Sequence, residues 1–194
     1  MFIEEIHCYL DATGKPIPSV SQIVKAFIPM DDNIPLEVLK NAGERGSRIH
    51  KATEQIDKGE EYDNSSDIEP YLNAYISARE ELPDWETTEA KFFYDHFAGT
   101  TDRTTADCVW DIKTQSSKDV KKWTLQMSLY CLALGKPKAK IIWLKKTGKY
   151  QIIDIDVDFA LATSCVWLFK FLHQERWEKE MAGKLNEYYL EDGY

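Results

Sequence analysis

The sequence predicts an α/β protein with a mixed central β-sheet flanked by α-helices. Three observations lead there. Pro83 separates a helix-rich N-terminal stretch from a segment rich in Thr, Phe, Val and Trp, residues that favour strands. Two more strand-like runs follow a long helical segment. The resulting order is helices, three strands, helix, two strands, helix, which suits one sheet with helices packed against it.

Each element has a local cause. Ile3–Leu10 reads as a strand, followed by the turn Asp11-Ala12-Thr13-Gly14-Lys15-Pro16. Ser19 is placed to cap a short helix, Val20–Phe27. Pro35 suits the first turn of a long helix reaching about Lys58, in which Leu36, Leu39, Ala42, Ile49 and Ile56 follow a helical stripe. Gly43 and Gly46 weaken that pattern and suit a break within it. Asp57-Lys58-Gly59-Glu60-Glu61 ends it. Glu69–Leu82 is the next helix, with Pro70 in its first turn and Pro83 just past its end. Thr87–Tyr94, Phe97–Arg103 and Cys108–Thr114 are strands. A helix starts at Ser116–Lys118 and runs through Leu134, closed by Gly135 with Pro137 beyond. Lys138–Leu144 and Tyr150–Val157 are strands joined at Thr147-Gly148-Lys149; in the second, Ile153, Ile155 and Val157 alternate with Asp154 and Asp156. Phe159–Met181 is the last helix. Its aromatics Trp167, Phe169, Phe171 and Trp177 read as core in preference to a base-stacking platform. The acidic tail Asn186–Tyr194, with three tyrosines, reads as a frayed end. No repeat or composition break marks a second domain. Residues 1–194 are expected to form one domain, with a core at about 43–157 and a C-terminal helix at about 158–183.

Composition narrows the class. The chain has 194 residues, 43% hydrophobic, enough for a buried core, and its 9 Gly and 7 Pro exclude collagen-like and low-complexity chains. No apolar run approaches the roughly 18 residues of a membrane span. Met1-Phe2-Ile3-Glu4-Glu5 is acidic where a signal peptide is basic, so the expectation is a cytoplasmic protein without a membrane partner. Cys8, Cys108, Cys131 and Cys165 lie far apart without a CxxC pair, which fits reduced, buried thiols. Net charge is −9, but Lys113–Tyr150 holds ten lysines against one acid, Asp119, and so carries +9, leaving −18 on the remainder. Such a patch can bind phosphates on an acidic protein, because counterion release depends on the contacting face; the alternative is a set of solvated lysines.

Strand period decides which residues meet. In Asp107-Cys108-Val109-Trp110-Asp111-Ile112-Lys113, Asp111 and Lys113 share one face, while Cys108, Trp110 and Ile112 share the other and suit packing under a helix. A carboxylate is a hard ligand for Mg²⁺ or Mn²⁺, and a nearby ammonium stabilises developing negative charge. Acid-x-Lys occurs three times: at Glu89-Ala90-Lys91, Asp111-Ile112-Lys113 and Asp119-Val120-Lys121. Asp119 belongs to a helix start, where an acid favours the helix dipole. Asp111 has a partner in Asp102, nine residues earlier: a turn at about Ala106-Asp107 pairs the strands antiparallel and sets Asp102 opposite Asp111. A slip of one residue would put them on opposite faces. Two carboxylates held together make a metal site or a like-charge pair with a raised pKa.

With these pieces in order the sequence resembles the PD-(D/E)XK nuclease superfamily, in its RecB-like and phage exonuclease branch. The resemblance covers about Gly43 to Tyr130. It rests on Gly46-Ser47-Arg48-Ile49-His50 on a helix, Gly99-Thr100-Thr101-Asp102 and Asp111-Ile112-Lys113-Thr114 on strands, and Gln126-Met127-Ser128-Leu129-Tyr130 on a helix. Two features depart from the family pattern: Thr101 replaces the proline before Asp102, and the acid of the triplet is Asp. The resemblance implies a restriction-endonuclease-like core. It implies His50, Asp102, Asp111 and the Ile112 carbonyl as ligands of Mg²⁺ or Mn²⁺, and Lys113 as the group that positions a water nucleophile and stabilises charge on the phosphate. Gln126 and Tyr130, on one helix face, would orient Lys113 or contact phosphate. Glu54 reads as a solvated helix glutamate. Some relatives bind an iron–sulfur cluster through a C-terminal cysteine trio, and with only Cys165 well past the core no cluster is expected here. The implied activity is metal-dependent DNA hydrolysis, most simply by an exonuclease in phage or bacterial recombination or repair, in the host cytoplasm if phage-encoded. DNA would be the partner, with a recombination protein as a second one. Lys118, Lys121, Lys122, Lys145 and Lys146 are the candidate DNA contacts. The rivals are a structure-specific endonuclease, a non-catalytic nucleic-acid-binding protein on a nuclease fold, and an acidic interaction protein with an accidental motif.

Overall fold

The computed structural model describes residues 1–29 and 33–191; the last three residues of the acidic tail lie outside them. The N-terminus forms a small sheet of β1 (Phe2–Ile3), β2 (Cys8–Leu10) and β3 (Pro16–Ile17). The expected single strand Ile3–Leu10 is therefore a hairpin. The chain turns through 4–7, where the His7 N–H donates to Glu4 O at 3.0 Å and His7 takes φ 47°. The reversal lets Phe2 lie over Tyr9, ring centroids 4.5 Å apart.

Helices α1 (Val20–Phe27), α2 (Leu36–Lys58) and α3 (Glu69–Arg79) follow. A capping box starts α1: Ser19 Oγ accepts from Gln22 N and the Gln22 side chain accepts from Ser19 N. No break occurs in α2 at Gly43 or Gly46. Interior glycine costs about 1 kcal/mol relative to alanine, and docking of Ile49, Ala52 and Thr53 outweighs it.

The main sheet has the order β4 (Thr87–Tyr94), β5 (Phe97–Thr104), β6 (Cys108–Lys113), β7 (Lys138–Leu144), β8 (Tyr150–Ile155). Within it only β6 and β7 are parallel, joined by a crossover through α4 (Val120–Leu134). The start of α4 is later than Ser116–Lys118, because Asp119 is the cap, accepting from Lys122 N at 3.2 Å. The expected last helix is two: α5 (Phe159–Leu172) and α6 (Gln174–Glu191), separated at His173. No glycine or proline signals that break; the His173 ring is held against Phe27 and Phe169, each at 5.8 Å.

The sheet separates two cores. On one face α2 and α3 bring Ile49, Ala52, Leu72 and Tyr75 onto Cys108, Trp110, Ile112 and Ile142. On the other, α1, α4, α5 and α6 pack on Val109, Ile141 and Trp143. The alternation of β6 thus holds: its apolar set lies under α2 and α3, and the Asp111–Lys113 set faces α4. Phe169 and Trp177 are core, as expected, but Trp167 and Phe171 are exposed, because they lie on the face of α5 opposite Phe169 and Cys165. All four cysteines are buried and free. Among the described residues no helix is long and apolar enough to cross a membrane. The restriction-endonuclease-like α/β architecture expected from the sequence is the one observed.

Candidate active site

Three acids lie side by side across three strands. The β4–β5 register pairs Thr88 with Arg103 and Ala90 with Thr101, so Glu89 stands opposite Asp102. The β5–β6 register pairs Arg103 with Trp110 and Thr104 with Val109, so the next rung sets Asp102 opposite Asp111. The backbone is irregular there. Glu89 adopts φ 47°, unusual for a residue with a Cβ. Beyond Arg103 the β5–β6 ladder gives way to a side-chain bond, the Ile112 N–H donating to Asp102 Oδ2 at 2.6 Å.

From α2, His50 Nδ1 reaches Asp102 Oδ2 at 3.3 Å. One donor atom each from His50, Glu89 and Asp102 lies within 4.8 Å of the others. A cation with bonds of about 2.1 Å spans donors about 4 Å apart, so a small closure brings this set onto one ion. Two carboxylates and an imidazole make a donor set that fits a divalent metal ion, as the family resemblance implies. Asp111 lies outside this trio, with its Oδ2 2.7 Å from Lys113 Nζ.

Lys113 also donates to Gln126 Oε1 at 2.9 Å. The Gln126 amide nitrogen donates to Tyr130 Oη at 3.1 Å and to Asp111 Oδ1 at 3.4 Å. One helical turn on α4 thus fixes the ammonium beside the acids. Tyr130 approaches β5 only because residue 99 is glycine: a Cβ there would meet the Phe92 ring at 2.8 Å and Tyr130 at 3.2 Å.

Charge and burial perturb the group strongly. Burial opposes the charge on His50, but the carboxylates of Asp102 and Asp111 override it and raise its pKa to about 9. Burial likewise opposes ionisation of Asp102, and the His50 charge and hydrogen bond hold it below the ordinary range. Burial, with Asp102 adding to it against the pull of Lys113, pushes Asp111 up to about 6. Burial and then Asp102 push Glu89 up to about 7.

Beneath the acids lies Arg103, fully buried. It donates to Asp57 Oδ2 at 2.6 Å, to Asp102 O at 2.7 Å and to Glu89 Oε1 at 3.4 Å. Asp57, on α2, also accepts from Tyr75 Oη at 2.7 Å and lies 3.3 Å from Arg79 Nε. Glu54 forms a helical ion pair with Lys58 at 2.6 Å.

The basic segment divides. Lys136, Lys138 and Lys140 pair with Glu86, Asp107 and Asp154 at 2.7–2.9 Å. Among the described residues Lys118, Lys121, Lys122, Lys145 and Lys146 form no ion pair. Lys118 and Lys145 lie over the Trp143 ring, at 5.4 and 4.6 Å. Lys122 lines a depression of about 320 Å³ with Lys25, Lys113 and Gln126, an opening at Lys113 rimmed by positive charge.

The same architecture occurs in a solved phage-related exonuclease from Haemophilus somnus 129PT, which is 9% identical and matches 87% of this chain and 96% of its own at a TM-score of 0.51. The chain shares that exonuclease's fold. An alkaline exonuclease from Laribacter hongkongensis is 16% identical over 87% of this chain and 93% of its own, with a TM-score of 0.48, and its complex with dAMP gives 0.49. No family model matches the sequence and no curated protein matches it.

Sequence reasoning set Glu89 aside in favour of Asp111. The signal was available: the hairpin reverses at Asp95-His96, and counting back from it places 89 opposite 102. Arg103 and Asp57 gave no signal, since a charged residue on a strand or at a helix end reads as solvated until the tertiary fold buries it.

Proposed function

We propose that the chain is a metal-dependent nuclease that hydrolyses DNA phosphodiester bonds, acting as an exonuclease in recombination or repair. The observation that carries this is the rung of Glu89, Asp102 and Asp111, met by His50 on one side and by Lys113, fixed through Gln126, on the other. A phage-related exonuclease with this fold supports the reading, but the residues carry it.

His50, Glu89 and Asp102 would hold the cation, with Asp111 and the Ile112 carbonyl next to them. A bound Mg²⁺ or Mn²⁺ polarises the phosphoryl oxygens and acidifies water. The chain's own groups do the rest. Lys113 offers a fixed positive charge where negative charge develops on the phosphate, and it costs no reorganisation because Gln126 already holds it. Gln126 and Tyr130 keep the ammonium in one orientation. Lys25 and Lys122 attract the strand's phosphates to the opening, and Lys118, Lys121, Lys145 and Lys146 extend that field.

End-labelled single- and double-stranded DNA incubated with Mg²⁺, with Mn²⁺ and with EDTA tests this. Stepwise shortening that needs the metal is expected. Internal cuts would make the enzyme an endonuclease, and retention without cutting in either metal would refute the catalytic assignment.

A further inference from the structure

Arg103 has no exposed surface, and it follows Asp102 directly in β5. A buried cation is costly unless its donors are met, so what it touches is informative. Its partners lie on the three elements that carry His50, Glu89 and Asp102. On α2, Nε donates to Asp57 Oδ2 at 2.6 Å and Nη2 to Thr53 Oγ1 at 3.4 Å. Thr53 in turn donates to His50 O at 2.8 Å, so these bonds bear on the stretch of helix that carries the imidazole. On β5, Nη1 donates to Asp102 O at 2.7 Å, and on β4 it reaches Glu89 Oε1 at 3.4 Å. One guanidinium therefore ties together the backbone of two donor residues and the carboxylate of the third.

The bond to Glu89 is the one that neutralising the arginine does not require, since Asp57 already supplies a buried counter-charge. Glu89 lies on the edge strand of the sheet with its side chain 30% exposed, so it has room to turn into water and away from Asp102. Mutual repulsion of the two carboxylates favours that. Instead Glu89 stays beside Asp102 with its backbone at φ 47°, a conformation that persists only where the surroundings over-determine it. Among the described residues its ion pair is with Arg103. That contact engages Oε1 and leaves Oε2 without a hydrogen bond among the described residues, open to a cation. Groups behind a metal ligand that fix its orientation in this way govern metal affinity. A guanidinium suits the task, because its planar fork is always charged and meets several acceptors at once.

We propose that Arg103 is a positioning residue that presets Glu89 for a divalent cation, holding its carboxylate beside Asp102 before the ion arrives. The proposal rests on the metal-dependent reading above. Calorimetric titration of the full chain with Mn²⁺ tests it. Arg103→Met is paired with Asp57→Leu, so that neither charge is left buried without the other, and urea unfolding in EDTA establishes that the pair is folded. Its Mn²⁺ affinity should fall about 10- to 100-fold. The same pair introduced into Glu89→Gln should cost less than about threefold further, because the group through which Arg103 acts is already lost. Arg103→Lys keeps the charge beside Asp57 but not the fork, and should lose affinity in the same Glu89-dependent way even where the double substitution does not fold. Unchanged Mn²⁺ affinity in the folded variants overturns the proposal. So does a loss of equal size with and without Glu89, which would make the arginine a support of the fold alone. Both of those outcomes leave the metal-dependent reading standing, whereas a wild-type chain that binds no Mn²⁺ overturns the two together.

Discussion

The roles proposed for Lys113 and Asp102 are separable, and substitution distinguishes them. Asp102→Asn keeps the shape but supplies a poorer ligand to a hard cation, so metal affinity read by calorimetry should fall together with cleavage. Lys113→Ala leaves the donor set intact. It should still bind metal and DNA, and lose about 100- to 1,000-fold in single-turnover cleavage. Wild-type cleavage by Lys113→Ala would make the lysine structural. Titration at the same residues has a definite sign. His50 rises from 6.5 to about 9, Glu89 from 4.5 to about 7 and Asp111 from 3.8 to about 6, so each binds its proton more tightly in the folded state. Their stabilisation is present at low pH and is lost as pH rises through those folded values. Asp102, held below 3.8, works the other way and only below that pH. In EDTA the melting temperature should therefore fall between about pH 5 and 9. A divalent cation competes with those protons, so the rise in melting temperature on adding Mn²⁺ should grow with pH over the same window. A metal-induced shift that is flat with pH would remove His50 and Glu89 from the ligand set.

Among the elements, α2 matters most, because it carries His50 to the acids and Asp57 to Arg103. Removing Asp57 leaves the Arg103 guanidinium buried with a partner missing. Asp57→Ala should cost about 3–5 kcal/mol in urea unfolding. Substituting Arg103 and Asp57 together by Met and Leu should restore much of that stability, but not the hold on Glu89. Most elements were legible locally. Ser19 with Gln22, Asp119 and Gly135 set helix ends by hydrogen bonds within a few residues of the chain. The misreadings share one cause. The reversal at 4–7 and the break at His173 carry no glycine or proline, and ring contacts accompany them, Phe2 on Tyr9 across the hairpin and Phe27 on His173 across the fold. Gly43 and Gly46 looked like a break, but the docked face of α2 outweighs their propensity.

For the whole molecule, field and surface decide behaviour. The net charge of −9 hides a positive rim around the opening at Lys113. Reversing Lys121, Lys122, Lys145 and Lys146 should weaken DNA binding for all sequences alike. It should also flatten the slope of affinity against salt by roughly 0.7–0.9 for each phosphate that is no longer neutralised. Unchanged affinity would mean that these lysines are only solvated.

Local periodicity was enough for the face shared by Asp111 and Lys113 and for the helical spacing that puts Gln126 and Tyr130 together, and, given a turn at Ala106-Asp107, for the pairing of Asp102 with Asp111. These follow from repeats of 2.0 and 3.6 residues and short hairpin reversals, which are local properties of the chain. The assembled fold was needed to show that Glu89 joins His50 and Asp102, that Arg103 is buried beneath them, and that Lys136, Lys138 and Lys140 are paired with acids from other parts of the chain. Each of those depends on which distant charge a side chain meets once water is excluded, and no local period encodes that. The same holds for α5. Its apolar character is plain in the sequence, but which half of that surface the core covers is fixed by the packing of α1, α4 and α6 around it.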